Sequence, residues 1–362
     1  MYPQISLRWS CESTAIHVTI CICMVPPPLR LGLVGFPDEA YLTNLLRTRQ
    51  SVRWMASSSM EADALWVNGE HAQPARHHLV RIPSPRPNEA ATLLSVKDID
   101  RPVAFSLPLG NGYLTPAEVF NPRSAQSIAE VLQSFESRLR PLANQLLVAQ
   151  QVAARRYELS SPVYHLCRAG TVVAVVDILG SVGIDPGAMP ADLAGAVWQG
   201  RPAAAGVSPP HFIQLPLPVL MWQYVMRCDE DLLPDKYRKG MIFYRRAPYV
   251  PRRLLKDVHL ALLAELSPGP QTFAQLQQEI GLGDRALAQA LGALYYAGSI
   301  TTDASRAATL HTRVHHPEEE PSNPSMGSAF NALPPVAPLR RRRQNTATVP
   351  TPLEQPGRSH DG

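Results

Sequence analysis

Short apolar runs alternate with polar, turn-rich stretches through the first third of the chain. Leu31-Gly-Leu-Val-Gly35, Ala64-Leu-Trp-Val67, His78-Leu-Val-Arg-Ile82 and Val103-Ala-Phe-Ser-Leu107 read as strands. Helix-like patterns at Asp38 to Leu46 and at Glu89 to Val96 lie between them. Together they predict a small α/β domain with a mostly parallel sheet over residues 29–123.

The period then changes. Ile128, Leu132, Phe135, Leu139, Leu142, Leu146, Ala149 and Ala153 follow a 4-3-4-3 spacing, the seam of helices packed along one another. This predicts a helical connector over residues 124–159. Pro141 interrupts it by removing a backbone donor, so a kink is expected, or two helices with Pro141 opening the second. Over residues 160–250 a mixed α/β region follows. Its hairpin joins Val163-Tyr-His-Leu-Cys-Arg168 and Thr171-Val-Val-Ala-Val-Val-Asp177 around Ala169-Gly170. Met189 to Gln199 reads as a short helix, and Ile213 to Met226, apolar throughout, as a buried segment. Residues 251–303 divide into helices at Leu254 to Leu266, Thr272 to Ile280 and Asp284 to Ala297, then a strand at Ser299 to Thr302. Thr272 and Asp284 are suitable N-caps, and Gly298 is a stop.

Two resemblances follow from these residues. Three helices with the turn Gly281-Leu-Gly283 between the second and third, and a strand afterwards, resemble a winged-helix or helix-turn-helix domain. Asp63-Ala-Leu-Trp-Val-Asn68 resembles the third strand of a response-regulator receiver domain, and Phe105-Ser-Leu-Pro108 its fifth strand and following proline. The second resemblance implies that Asn68 replaces the phosphoacceptor carboxylate and Leu107 the family's lysine. Asp38 and Glu39 sit only roughly where its acidic pair would be. Such a domain is not phosphorylated in the usual way.

Composition sharpens the outline. At 362 residues more than one core is expected, because single cores rarely grow past about 250 residues. The 36 prolines exceed ordinary usage and point to linkers and tails, and residues 304–362, rich in Pro, Ser, Asn and charge, read as a disordered tail. Residues 1–28 read as a non-native or disordered extension, with Met24 ahead of Pro26-Pro27-Pro28 as a natural beginning. Their apolar stretch, Ala15 to Val25, is too short to span a bilayer and lacks a cleavage site. No membrane association is expected. Of the five cysteines, Cys11, Cys21 and Cys23 fall in this extension. That is no disulfide framework, and a reducing, cytoplasmic setting fits it.

Catalytic signatures are absent from the sequence: no Gly-x-Ser-x-Gly, no His-Glu-x-x-His, and no phosphate-loop lysine after Gly32 or Gly35. Gly281-x-Gly283-x-x-Ala286 follows a helix where a dinucleotide motif needs a strand. No metal site and no cofactor are expected, since the histidines are scattered.

A net charge of +4 supports nucleic-acid binding only through local clusters. The acid-free strip from Lys236 to Lys256 is one, with Lys236, Arg238, Lys239, Arg245, Arg246, Arg252 and Arg253 interleaved with aromatics such as Tyr249. It suits a phosphate-bearing ligand, either nucleic acid or a nucleotide, unless it is a buried strand flanked by solvated arginines. Arg340 to Arg343 in the tail form a second cluster. On the third helix of the winged-helix-like segment, Arg285, Ala288, Gln289, Gly292 and Tyr296 are expected to face outward, and only Arg285 and Gln289 carry donors that read base edges well. Phe135, Leu139 and Leu142 present a dimerisation seam, or else pack within their own domain. The expected function is a non-catalytic regulatory or signalling adaptor with a protein partner or phosphate-bearing ligand. A DNA-binding transcriptional regulator is the alternative, and an enzyme using His165, Asp177 and Asp185 a further one.

Overall fold

All four residues of Ala64-Leu-Trp-Val67 are buried, which requires cover on both faces of this strand. The computed structural model describes residues 27–37, 40–42, 46, 53–75, 79–85, 89–95, 101–110 and 116–308. Expectations for the N-terminal extension before residue 27, for Asp38 and Glu39, and for the tail beyond residue 308 with Arg340 to Arg343 lie outside the described residues.

The first eight strands are β1 (Leu29–Val34), β2 (Trp54–Ser57), β3 (Ala64–Val67), β4 (Gln73–Pro74), β5 (Leu79–Ile82), β6 (Thr92–Ser95), β7 (Val103–Ser106) and β8 (Val119–Phe120). Five of them make a parallel sheet in the order β2-β1-β3-β7-β8. Residues 40–42 and 46 are helical. Ala64 and Trp66 point into one core with Leu29, Leu31 and Phe120, while Leu65 and Val67 point into another with Val80, Ile82 and Leu94.

That second core corrects two expectations. The strand at residues 79–82 does not join the parallel sheet, and residues 92–95 are a strand where a helix was expected. With β4 they form a three-stranded antiparallel sheet that covers one face of the large one. Buried Leu94 beside exposed Leu93 is the alternation of a strand half in a core.

The step from β2 to β3 has no helix. β2 pairs with β1 up to Gly32 and β3 begins opposite Leu31, so residues 58–63 need only hop across β1. They cross at Gly32, where a β-carbon would lie 2.7 Å from Leu65 Cδ2, 3.0 Å from Ala62 Cβ and 3.2 Å from Ser59 Cα. Only a residue without a side chain admits so close a crossing.

The connector is one helix, α1 (Ala125–Ala154), running through Pro141, so the expectation of two helices is corrected. Ser124 caps it by accepting the Ser127 N–H. Its first half buries Ile128, Leu132, Phe135 and Leu139 against the parallel sheet. Its second half buries Leu146, Leu147, Ala149 and Val152 in a larger core formed with the rest of the described chain.

That core rests on a second sheet built from β9 (Val163–Arg168), β10 (Thr171–Asp177), β11 (Ser181–Ile184), β12 (Val197–Arg201) and β13 (Ile213–Pro216). It is antiparallel, in the order β12-β9-β10-β11-β13. The hairpin around Ala169-Gly170 is present. The helix expected over 189–199 is shorter, α2 (Pro190–Ala194), and β12 takes its second half. The apolar stretch at 213–226 splits into the largely exposed β13 and the buried helix α3 (Leu217–Val225).

After α3 come α4 (Asp235–Lys239), β14 (Met241–Tyr244), α5 (Asp257–Leu266), β15 (Gln271–Thr272), α6 (Phe273–Ile280), α7 (Asp284–Tyr296) and β16 (Ile300–Thr301). Thr272 caps α6 in a reciprocal box with Gln275, as expected, while the cap of α7 is Gly283 rather than Asp284. The sheet order is β15-β14-β16, so its middle strand arrives from before the three helices. All described residues belong to one compact unit. Among them no helix is long and apolar enough to cross a membrane.

Candidate functional site

Leu287, Leu291 and Leu294 on α7 are fully buried, as their spacing predicts. The opposite face was expected to meet solvent or DNA, and it does not. Ala288 and Gly292 are buried as well, and Val225 Cγ1 of α3 lies 3.3 Å from where a Gly292 β-carbon would sit. Gln289 Nε2 donates to the carbonyls of Val225 and Cys228 at 3.0 and 3.3 Å, where α3 ends. Tyr296 is half-buried. The signal was present in the sequence: small residues four apart allow another helix to approach closely, and the apolar α3 needed a surface to cover.

Charged pairs fringe the exposed N-terminal end of α7. The loop after α3 carries Asp229, Glu230 and Asp231. Arg285 donates to Asp229 at 2.5 Å, and Arg238 bridges Asp284 at 2.8 Å and Asp231. Hydrogen bonds from Arg238 to Asp284 and then Asp231 hold its guanidinium above its ordinary pKa. Its guanidinium carbon also lies 4.8 Å from the Phe273 ring centroid. A cavity of about 220 Å³ at this end of α7 is lined by these same paired groups. Arg238 and Gln289 are therefore engaged within the protein, while Arg285 makes an ion pair with Asp229 on the surface, its side chain 73% exposed.

The rest of the basic strip is different. Lys236, Lys239, Arg245, Arg246, Arg252 and Arg253 are all exposed. The side chains of Lys239, Arg245, Arg252 and Arg253 make no hydrogen bond or ion pair among the described residues. Arg246 Nε donates weakly to the Gly298 carbonyl at 3.3 Å, and Lys236 Nζ stands 5.5 Å from the Tyr237 ring centroid. Tyr249 is 81% exposed between the two arginine pairs. Ile242 of β14 is buried, so this strand anchors the strip while the cations flank it.

At the carboxyl ends of the parallel strands, Asn68 Nδ2 donates to the Gly35 carbonyl at 2.9 Å and its Oδ1 accepts the Glu70 N–H at 3.1 Å. Ser106 Oγ accepts the Gly69 N–H at 3.0 Å. This is the switch point at which open sheets of this strand order receive ligands, and here Asn68 fastens two strand ends together. Residues 103–106 are the fourth strand of the sheet and β8 is the fifth, which corrects the match of Phe105 to Pro108 with a fifth strand and of Leu107 with the lysine position. A cavity of about 450 Å³ opens beside it, lined by Gly35, Ser57, Ser58, Ser59, Ser84 and Glu89 among others.

The dimerisation seam is corrected too. Phe135 is fully buried and Leu139 is 9% exposed, both in the protein's own core, with the Phe135 ring 6.4 Å from that of Trp54. Leu142 packs on both cores. Asp177 and Asp185 each accept a backbone N–H two residues on, from Leu179 at 3.0 Å and Gly187 at 2.8 Å, and His165 Nε2 lies 2.9 Å from the Ala205 carbonyl. These are turn and loop fastenings. No group of three or more metal-ligating side chains occurs among the described residues.

No protein-family model matches the chain, and no curated protein matches it.

Proposed function

We propose that this chain is a non-catalytic regulatory adaptor, with a receiver-like sheet that has lost its phosphoacceptor and a winged-helix-like module that does not read DNA. The 2-1-3-4-5 order of the parallel strands supports the first half, with Asn68 at the end of the central strand. Three helices with a small antiparallel sheet support the second.

The observation that carries the reading is the bond from Gln289 to the end of α3. A recognition helix must offer its outer face to a groove, and here Ala288, Gln289 and Gly292 of that face are covered by a helix whose Leu220, Met221 and Trp222 are at most 1% exposed. Such a helix is core and not a removable lid. Partner contacts therefore run through other surfaces, and a transcriptional regulator reading bases with Arg285 and Gln289 is the weaker alternative.

Selection of the full-length protein against a pool of random duplexes tests this. No sequence should be enriched. An enriched motif whose binding is lost in Gln289→Ala, with melting temperature unchanged, would replace the adaptor by a DNA-binding regulator.

A further inference from the structure

We infer that the exposed basic strip around Tyr249 is a binding surface for single-stranded nucleic acid. This deepens the adaptor reading by naming a ligand, and rests on that reading where it sets the duplex aside.

The first ground is selective pairing. In the acid-free stretch from Lys236 to Lys256, Arg238 is engaged by Asp231 and Asp284, and Lys256 by Glu61. Lys239, Arg245, Arg252 and Arg253 have no hydrogen-bond or ion-pair partner among the described residues. Four cations close in sequence and left without counter-charges repel one another unless a polyanion joins them. Their spread argues for an extended anion. Lys239 and Arg245 flank the four residues of β14, which separates them by at least about 13 Å at strand rise.

The second ground is the aromatic ring. Tyr249 lies in Ala247-Pro-Tyr-Val-Pro251, between Arg245-Arg246 and Arg252-Arg253. Pro248 and Pro251 restrict the backbone on either side, so a ring 81% exposed is presented with little freedom left to lose on binding. Guanidinium pairs grip phosphates and a solvent-facing ring stacks on an unpaired base. Bases inside a duplex are not available for stacking, and the Asp and Glu side chains of an acidic peptide carry no ring. The cover of α3 over Ala288, Gln289 and Gly292 takes the middle of α7 away from a duplex groove.

The test is fluorescence anisotropy of the full-length protein with labelled oligouridylate, oligothymidylate and a duplex of the same length, over a series of salt concentrations. Both single strands should bind more tightly than the duplex, with affinity falling by a log–log slope of about −0.7 per phosphate contacted. Arg252→Ala with Arg253→Ala should weaken binding at least about tenfold and flatten the slope by about two contacts. Tyr249→Ala should weaken it about tenfold and leave the slope unchanged. All three side chains are exposed, so the variants should keep the parent's circular dichroism and melting temperature. A preference between RNA and DNA strands identifies the source of the ligand within the inference. Equal or tighter binding of the duplex, an unaffected Tyr249→Ala, or no binding at low salt overturns it. So does binding to anionic vesicles without binding to either strand. None of these outcomes bears on the Gln289 selection.

Discussion

Arg227 grips Asp63 with both ends of its guanidinium, Nη1 to Oδ2 at 2.7 Å and Nη2 to Oδ1 at 2.6 Å, across 164 residues of chain. The Asp63 side chain is only 4% exposed and that of Arg227 15%. Arg30 completes the junction by donating its backbone N–H to Asp63 at 2.8 Å and its side chain to the Met226 carbonyl at 3.0 Å. Removing one partner of such a buried pair leaves an uncompensated charge, which costs about 3 kcal/mol or more. Arg227→Ala should lose about that much in urea unfolding, and Arg227→Lys, which keeps the charge but not the fork, should fall between it and the parent. A loss below about 1 kcal/mol for Arg227→Ala would place the pair among exposed ones.

Gly32→Ala should destabilise the protein by about 1–3 kcal/mol, as overpacking does in a filled site. The added carbon meets the crossover backbone at Ser59 and the side chains of Ala62 and Leu65. Gly269→Ala is the control, since nothing lies within 4 Å of its β-carbon position. Thermal melts of both variants check the contrast, and equal shifts would remove Gly32 as the crossing point.

His259 should make the protein acid-sensitive. It is fully buried on α5, its ring 4.6 Å from that of Trp222, and its Nδ1 accepts the Lys256 N–H at 3.0 Å. Burial first, and the Lys256 charge second, push its pKa down from 6.5 to about 4. Between those values the unfolded chain holds the extra proton. Its contribution to stability is thus fully present above pH 6.5 and is lost as pH falls to 4, about 3 kcal/mol in all at about 1.4 kcal/mol per unit. His259→Gln keeps an acceptor for Lys256 without titrating, so its stability curve should be flatter by up to one proton in this window. Parallel curves for the two proteins would count against the assignment.

Phe135→Ala should cost about 3–5 kcal/mol, the range for truncating a buried aromatic, and should leave sedimentation of the folded protein unchanged. Leu139→Glu should do worse, because it places a charge in the same core. A folded Leu139→Glu protein with a smaller sedimentation coefficient than the parent would restore the seam as a dimer contact.

Local periodicity made many elements legible before any fold was known. Four predicted strands, the long helix, the hairpin at Ala169-Gly170 and the three C-terminal helices are all present within a few residues of their expected places. Each writes its period into a short window. What failed was pairing between distant segments. Thr92 to Ser95 carries too few residues to separate a strand from a helix, and β5 has the same alternation whether it joins the large sheet or covers it. The heptad pattern of α1 states that one face is apolar, not which surface buries it. On α7, Gln289 reads as a base contact in isolation and becomes a cap only when α3 ends beside it. The exposed cations were legible as charges, but which ones remain unpaired depends on Asp231, Asp284 and Glu61 in other elements.

The division of α1 between two cores has an evolutionary and biosynthetic consequence. A helix of 30 residues, about 45 Å long, supplies a wall to the parallel sheet with its first turns and to the antiparallel sheet with its last. The N-terminal sheet therefore lacks its helical wall while the nascent chain is shorter than residue 139, and the second core has its own wall only once Ala154 has emerged. Recombination that exchanged one lobe at a loop would have to bring half of this helix with it. The two lobes are thus inherited together, and a cut in the middle of α1 should leave two insoluble fragments in place of two working modules.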